Sequence, residues 1–201
     1  MKLYSYIVAR DFGFAPNPFY GVCTLATCKP KIRAKARLGD WIVGTGSKRF
    51  DLDGRVVYAM QVSEILTYDQ YWSDGRFTRK RPNLHGSLKQ AYGDNIYHRD
   101  PATGDWLQQD SHHSHPDGSP NLRNIVHDTQ TDAVLIGDEY YYWGSSAPFI
   151  PKEFRNFEGY DVCRSNSGHK CNFPQGLVES FIRWIRSHGE HGYIGEPTEF
   201  R

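Results

Sequence analysis

The sequence lacks the features of a secreted or membrane-spanning protein. Its four cysteines are few for 201 residues, so a disulfide scaffold is not expected. No stretch approaches the roughly 20 apolar residues that span a bilayer. The N-terminal stretch MKLYSYIVARDF is too short for a signal peptide and has no small-residue cleavage site after it. The sequence therefore predicts a cytoplasmic protein with reduced thiols and no membrane partner.

The chain also lacks an excess of charge of either sign, since 24 Lys and Arg nearly balance 23 Asp and Glu. Any basic surface must therefore be local. Aromatic residues are plentiful at 14% of the chain, and such rings either fill a core or stack on nucleobases. The length suits one domain with a sizeable core.

Hydrophobic periodicity predicts a single α+β domain over residues 1–201, with a mainly antiparallel sheet curled into a small barrel. We expect strands at about 2–9, 39–47, 55–66 and 132–143, a helix near 30–37 and a C-terminal helix over 174–188. The last of these strands is either one strand or a strand pair bent at Gly137-Asp138. Between residues 75 and 131 the periodicity is lost and Gly and Pro are frequent. We expect this segment to be an ordered, lid-like insertion over the barrel mouth. Its apolar anchors, which can offset the entropy of ordering, are Tyr92, Ile96, Tyr97, Trp106 and Leu107.

Cysteine spacing does not indicate a metal site. Cys163, His169 and Cys171 could act with Cys23 and Cys28 as soft ligands, but neither group has the CxxC spacing that structural zinc usually uses. The sequence therefore predicts no metal and no cofactor, with free, buried thiols as the simplest interpretation.

Cys28 has a second interpretation as a reactive thiol. If a helix begins beside it, the positive end of that helix and Lys29 favour the thiolate. No family signature surrounds the residue, and small buried thiols are commoner. The sequence therefore favours the structural role for Cys28 over the reactive one.

The stretch QQDSHHSHPDGS, residues 108–119, concentrates histidine and aspartate in a short space. Adjacent histidines point in different directions, so they make a poor metal frame, but they can transfer protons. Asp110, His112 and His113 are the candidate catalytic residues. A solvated loop without chemistry remains open as an alternative.

Positive charge is concentrated in two stretches. Lys29 and Arg33 belong to an alternating basic run that follows the first loop, and RFTRKRPN lies beside Tyr71 and Trp72. Basic residues interleaved with aromatic rings can hold a phosphate backbone while a ring stacks on a base. The predicted backbone contacts are Arg76, Arg79, Lys80 and Arg81. An ordinary charged loop is the alternative.

Part of the chain resembles the PUA-like superfamily, which includes the ASCH and EVE domains. The resemblance covers residues 1–66, where an early strand and a short helix precede LGDWIVGTGS and GRVVYAMQVSEIL. It implies a small β-barrel with a pocket beside the first helix that receives a nucleobase, often a modified one.

The whole chain resembles the nucleotide-modification-associated domain family of the second type. The matching stretches are YSYIVARDFGFAPNPFYGVCTLATCKPKIR, GDWIVGTGS, VVYAMQVSEILTYDQYW, KRPNLHGSLKQAYGDNIYHRD and QQDSHHS. The resemblance implies a role in bacterial or phage systems that make or handle modified DNA bases. It implies no particular reaction.

The two resemblances together imply a pocket in which fixed polar groups stand on an apolar wall. The predicted ligand-binding residues are Asn17, Thr24, Lys29, Arg33, Asp94, Asn95, Tyr97, Gln108, Ser111 and His112. We expect the domain to recognise a nucleobase, a nucleotide or modified DNA. The alternatives are a metal-free hydrolase or transferase acting on a modified base or nucleotide, and a module that binds a protein of a modification or restriction system.

Overall fold

A computed structural model of the protein describes residues 1–164, 166 and 168–200. The chain forms short strands and helices around two hydrophobic clusters. Three 3₁₀ helices lie at Lys48–Phe50, Gly75–Lys80 and Gly144–Ser146. In chain order the elements are β1 Leu3–Ile7, β2 Cys23–Leu25, α1 Pro30–Arg33, β3 Trp41–Thr45, β4 Val56–Gln61, β5 Glu64–Leu66, α2 Tyr68–Ser73, α3 Leu88–Ala91, β6 Tyr97–Arg99, β7 Trp106–Gln108, α4 Leu122–Asp128, β8 Val134–Gly137, β9 Tyr140–Tyr142, α5 Lys152–Arg155, β10 His169–Lys170, α6 Gln175–Arg186 and β11 Gly192–Tyr193.

The larger sheet has six strands in the order β10-β1-β3-β4-β9-β11. β1 pairs with β3 in parallel, whereas β3–β4 and β4–β9 are antiparallel. Every residue of β3 is buried, as expected for a central strand that is covered on both faces. The apolar stripe of α6, formed by Leu177, Phe181 and Ile185, belongs to the same core cluster.

The smaller sheet has the order β2-β8-β5 and is antiparallel throughout. Two chain segments run through both sheets, because β4 leads into β5 and β8 leads into β9 after only two residues each. Gly137 lies where these segments cross, and a Cβ there would stand 2.6 Å from the Gln61 carbonyl oxygen. A side chain at residue 137 would therefore force the two backbones apart.

This arrangement confirms a mixed α+β fold that is mostly sheet. The strands predicted at 55–66 and 132–143 are each divided between the two sheets, because the chain bends at residues 62–63 and 138–139. The described strands form open sheets and no closed barrel, with β10 and β11 at the ends of the larger sheet. Helix α1 ends at Arg33, whereas the prediction extended it to residue 37. Turns follow the helix, and there the Arg37 N–H donates to the Asp40 carboxylate (3.0 Å).

Segment 75–131 is folded around the second hydrophobic cluster. Phe77, Ile96, Tyr97 and Ile125 pack there with Val134 of β8. Within the segment, β6 and β7 form an antiparallel hairpin, and α4 lies near the C-terminal end of the segment. In the described part of the chain, no helix combines the length and apolarity that crossing a membrane requires.

Arg33 connects this segment to the rest of the fold. Its guanidinium is buried, with 1% of the residue exposed. It donates to the carbonyl oxygens of Cys28 (2.9 Å), Ala133 (2.7 Å) and Asp128, and to the Tyr68 hydroxyl (2.9 Å). One side chain therefore fixes the loop before α1 against the end of α4. This burial separates Arg33 from solvent, although it was predicted to contact a ligand.

We predict that Arg33→Met lowers the free energy of unfolding by about 3 kcal/mol, because the substitution leaves buried carbonyl oxygens without donors. Urea unfolding of the two proteins measures the difference. Arg37→Met, which changes an exposed arginine four residues further on, is the matched control and should change stability by less than about 0.5 kcal/mol. Equal effects of the two substitutions would contradict the anchoring role of Arg33.

Candidate active site

Cys28 lies on a strained turn between β2 and α1. Its φ is 57° and that of Lys29 is 42°, in the left-handed region that non-glycine residues rarely adopt. The surrounding contacts hold the turn in place: the Cys28 N–H donates to Asp128 Oδ1 (2.8 Å), and the Cys28 carbonyl accepts from Arg33. Strain of this kind persists where the structure over-determines a residue, which is commonest at functional sites.

His113 reaches Cys28 from the turn after β7. The carbonyl of His113 accepts from the side-chain amides of Gln108 (3.1 Å) and Asn124 (2.7 Å), and its N–H donates to Ser111 Oγ (3.2 Å). The ring of Phe14 packs against the imidazole at 4.6 Å between centroids. These contacts fix both the backbone and the ring plane of His113.

Asp128, the last residue of α4, completes the site. Its carboxylate is fully buried and accepts from the Tyr97 hydroxyl (3.0 Å) and from His113 Nδ1 (2.8 Å) through Oδ2. Its Oδ1 accepts from the Cys28 N–H and lies 3.1 Å from Nδ1 of His127. One carboxylate thus positions the backbone of the cysteine and the ring of the histidine together.

Cys28, His113 and Asp128 form a continuous series of contacts. Cys28 Sγ lies 3.8 Å from His113 Nε2. Because an ionised carboxylate can only accept, Nδ1 of His113 carries a proton toward Asp128, and Nε2 is left to take the proton of the thiol. This is the arrangement of nucleophile, base and orienting acid that covalent catalysis uses on several unrelated folds.

Burial and neighbouring groups shift the pKa values of His113 and Asp128. Burial alone lowers the pKa of His113, but hydrogen bonds to Asp128 and Cys28 outweigh burial and raise it to about 9. Burial also opposes ionisation of Asp128, yet the hydrogen bond and charge of His113 bring the pKa of that carboxyl below its ordinary value. These contacts therefore favour the protonated imidazole beside an ionised Asp128, which is the form that His113 takes once its Nε2 has accepted the thiol proton.

Cys28 lines a groove of about 390 Å³ that is open to solvent. Besides Cys28, the lining consists of Lys29, Pro30, Lys31, Ile32, His127, Gln130, Gly168 and His169. Cys28 is only partly buried. The side chains of His113 and Asp128 are 16% and 0% exposed and are not among the residues that line the groove. A small substrate can therefore approach Cys28 from the groove.

A groove of about 380 Å³ elsewhere on the surface is lined by Asp53, Arg155 and Asp161, among others. There Arg155 Nε is already paired with Asp161 Oδ1 at 2.8 Å. Cys163 also lines it, but burial raises the pKa of this thiol to about 12. We therefore take the Cys28 groove as the candidate active site.

Several predicted ligand-binding residues lie together in a buried network away from this groove. Thr24 donates to Asp94 (2.6 Å), and Lys80 Nζ donates to Asn17 Oδ1 (2.8 Å), to Thr24 Oγ1 (3.1 Å) and to two carbonyl oxygens. Tyr71 gives Asp94 a second donor at 2.8 Å. The groups satisfy one another inside the protein, and burial lowers the pKa of Lys80 to about 8.

Asn95, Tyr97, Gln108 and Ser111 are also buried. Asn95 donates to the carbonyl of Tyr71 (2.9 Å), while Tyr97 and Gln108 bond to each other (3.1 Å). Gln108 and Ser111 thereby support the His113 turn, and Tyr97 supports Asp128. Tyr97, Gln108 and Ser111 therefore contribute to the candidate site by positioning Asp128 and His113, whereas Asn95 holds the backbone of Tyr71 and Phe77.

The neighbouring candidates Asp110 and His112 point elsewhere. Asp110 accepts from Ser114 Oγ at 2.8 Å in the exposed turn. His112 is exposed and lies among the rings of Phe12 (4.5 Å) and Tyr92 (5.4 Å). Partial burial by these rings, with His113 nearby, lowers the pKa of His112. The three catalytic candidates are thus separated, and only His113 contacts the cysteine.

The basic stretch RFTRKRPN forms the 3₁₀ helix at Gly75–Lys80. Arg76 is paired with Glu64 (2.9 Å) and Asp74 (2.6 Å), Arg79 lies over the ring of Tyr20, and Arg81 lies over the ring of Trp72. Lys80 points into the core, so we leave it out of any surface contact with a phosphate backbone. Of the two basic stretches, only the one beginning at Lys29 borders the groove.

No group of three or more His, Cys, Asp or Glu side chains within residues 1–164, 166 and 168–200 is arranged to hold a metal ion. All four cysteines are free, and burial raises the pKa of Cys23 above its ordinary range. That the protein binds no metal therefore stays a prediction. A Cys28 thiol beside the His113 base would be a nucleophile that needs no metal.

Cys28 and His113 were predicted from the sequence as separate candidates, and Asp128 was not predicted. Eighty-five residues separate Cys28 from His113, and no local motif links positions so far apart. The left-handed turn around Cys28 and the capping of α4 by Asn121 (3.3 Å) bring them together. A signal was present in Lys29-Pro30, since proline at the first helical position indicates that a helix starts beside Cys28.

The raised pKa of His113 predicts a pH-dependent contribution to stability. Its value of about 9 lies above the ordinary value of 6.5, so the contribution is fully present below pH 6.5 and is lost as the pH rises through 9. With Cys28 in place, since its contact is one cause of the raised pKa, the difference in free energy of unfolding between His113 and His113→Asn should fall by on the order of 2 kcal/mol between pH 6 and pH 9.5. Urea unfolding at each pH measures it, with His115→Asn as an exposed control. A difference that stays constant or grows with pH would contradict the assignment.

Comparisons with known proteins identify the family of the chain. No curated protein and no solved structure matches it. The family described as "nucleotide modification associated domain 2" matches residues 1–201, so the match includes Cys28, His113 and Asp128. The chain belongs to the nucleotide modification associated domain 2 family, whose description places it in nucleotide modification.

Proposed function

We propose that this protein is a metal-free enzyme that processes a modified nucleotide or nucleobase through a covalent bond to Cys28. The contact series Cys28–His113–Asp128 at the base of an open groove carries the proposal. Membership of a nucleotide-modification family supports a nucleotide or nucleobase as the substrate class. Recognition of a base or nucleotide, which the sequence predicted, is then the binding step of this reaction.

The reaction that suits these groups is acyl transfer. His113 Nε2 takes the proton of the Cys28 thiol, and the thiolate attacks the carbonyl carbon of an acyl or amide group on the substrate. The bond from this carbon to its nitrogen or oxygen then breaks, and His113 donates the proton to the departing atom. A thioester on Cys28 remains.

The second half of the cycle releases the enzyme. His113 removes a proton from a water molecule, which attacks the thioester. The Cys28–carbonyl bond breaks, His113 returns the proton to the sulfur, and the carboxylic acid that leaves ionises to a carboxylate in solvent. Asp128 keeps the imidazole in one tautomer and stabilises its positive charge in both halves. The net reaction consumes one water and needs no metal and no redox partner.

The backbone strain at Cys28 and Lys29 favours an enzyme over a module that only binds. A binding surface needs exposed complementary groups, and it gains nothing from a cysteine held in a left-handed conformation against a histidine base. A module that only binds would tolerate alanine in place of Cys28 and in place of His113. An enzyme would lose turnover while keeping its fold.

The PUA-like relationship remains part of this proposal. It is supported by the order of elements, in which β1 precedes a short helix and the Gly39-Asp40 turn leads directly into β3. The groove borders α1, on the side of the first helix where the resemblance implies a base pocket.

We predict that iodoacetamide at pH 7 alkylates Cys28 at least about tenfold faster than Cys171, because a histidine base activates only the former thiol. His113→Asn should remove this difference, whereas His112→Asn, which changes the adjacent histidine that does not contact Cys28, should change the rate by less than about twofold. Peptide mass spectrometry after timed quenching measures both rates. Equal alkylation of Cys28 and Cys171 in the unsubstituted protein would contradict the proposal.

A further inference from the structure

The lining of the Cys28 groove is basic although the chain as a whole is nearly neutral. The formal net charge is only +1, yet the described lining contains Lys29, Lys31, His127 and His169 and no carboxylate. Asp128 is the nearest acid to Cys28, and its carboxylate is fully buried behind the thiol and held by His113 and Tyr97. The groove therefore presents positive charge that no protein carboxylate of its lining balances.

The cations lie close enough to act on one another. Lys29 Nζ lies 4.5 Å from the centre of the Tyr6 ring, where it is held by a cation–π contact. Burial first, then the charges of Lys35, Arg164, Lys31 and Lys29, lower the pKa of His169. A lowered pKa leaves His169 uncharged at neutral pH, where it can still donate a hydrogen bond, so the positive charge of the groove is that of Lys29 and Lys31. An anion bound between these two lysines offsets the free-energy cost of their repulsion.

The geometry points to a phosphate group as the anion, and we propose that the groove binds the phosphate of a nucleotide through Lys29, Lys31 and His169. This inference rests on the proposed function, since it places the phosphate in the groove from which Cys28 reacts. Lys29 and Lys31 flank Pro30, so they lie within one short turn of the nucleophile. The substrate is accordingly a nucleoside phosphate or a nucleotide in DNA, and a free base or nucleoside binds poorly.

The groove volume favours a small ligand. About 390 Å³ is at the lower end of sites for drug-sized molecules, and it accommodates one nucleotide. A polymer would have to continue past the groove along the surface. A mononucleotide is therefore the preferred form of the substrate.

The test compares thymidine monophosphate, thymidine and a thymidine octanucleotide as ligands of the Cys28→Ser protein, with isothermal titration calorimetry at constant ionic strength. The monophosphate should bind at least about tenfold more tightly than thymidine, and Lys31→Glu should lower its affinity at least about tenfold. Lys152→Glu, an equal charge reversal on an exposed lysine of α5, is the matched control and should leave affinity within about twofold.

The octanucleotide separates the two sources of phosphate. Binding of the octanucleotide no tighter than the monophosphate supports a mononucleotide substrate, and octanucleotide binding more than about tenfold tighter overturns that preference. Equal binding of thymidine and its monophosphate, or equal effects of Lys31→Glu and Lys152→Glu, overturns the phosphate site itself. Because Cys28→Ser lacks the thiol, these results are independent of whether Cys28 is the nucleophile, which alkylation of the unsubstituted protein tests separately.

Discussion

The buried carboxylate of Asp128 is the group on which the candidate site depends. It accepts the Cys28 N–H at 2.8 Å, the Tyr97 hydroxyl at 3.0 Å and His113 Nδ1 at 2.8 Å. Burying a carboxylate is costly unless hydrogen bonds and a counter-charge compensate it. Here the compensating groups come from three separate parts of the chain, so the carboxylate can be accommodated only when all three are in place.

The architecture explains how those parts meet. The turn that carries Cys28 extends from β2, and α4 leads into β8, so the pairing of β2 with β8 in the smaller sheet brings the cysteine toward Asp128. Arg33 then joins the same two segments from the other side, through the carbonyl oxygens of Cys28 and Asp128. Nucleophile and carboxylate are thus fixed by a sheet and by a buried arginine, which are more rigid than a loop alone.

Segment 75–131 supplies the base and the supporting hydrogen bonds. The hairpin of β6 and β7 places Gln108 under the carbonyl of His113, and the cluster that includes Phe77 and Ile96 secures the segment to the smaller sheet. The buried Lys80–Asp94 network tightens the same region, because Lys80 reaches the first loop at Asn17 and Asp94 holds Thr24 of β2. Asn17, Thr24 and Asp94, which were predicted to contact a ligand, thus hold the loops together.

These contacts show which features could be predicted from the sequence. The periodicity of WIVGT and VVYAMQ and the apolar stripe of α6 were sufficient for the α+β class, since burial of one face or of a whole strand leaves a direct pattern. The glycine at residue 137 also indicated that the strand at 132–143 could be a bent pair, and the structure has two strands there. The division of the strand at 55–66 was not predicted, because the bend at residues 62–63 carries no glycine or proline and depends on packing against Gly137. The burial of Lys80 and Arg33 could not be predicted for a similar reason. A lysine or arginine in a basic stretch reads the same in the sequence whether its side chain points to solvent or to buried carbonyl groups.

The proposed covalent intermediate on Cys28 is tested most directly by the mass of the Cys28 peptide after rapid denaturation of protein incubated with a pool of modified nucleotides. We expect an added acyl group on Cys28 that is released by hydroxylamine and is absent from Cys28→Ala. We also expect His113→Asn to form the adduct more slowly, because the thiol has lost its base. Consumption of a modified nucleotide at an unchanged rate by Cys28→Ala, with no adduct on Cys28 in the unsubstituted protein, would show that Cys28 is not the nucleophile.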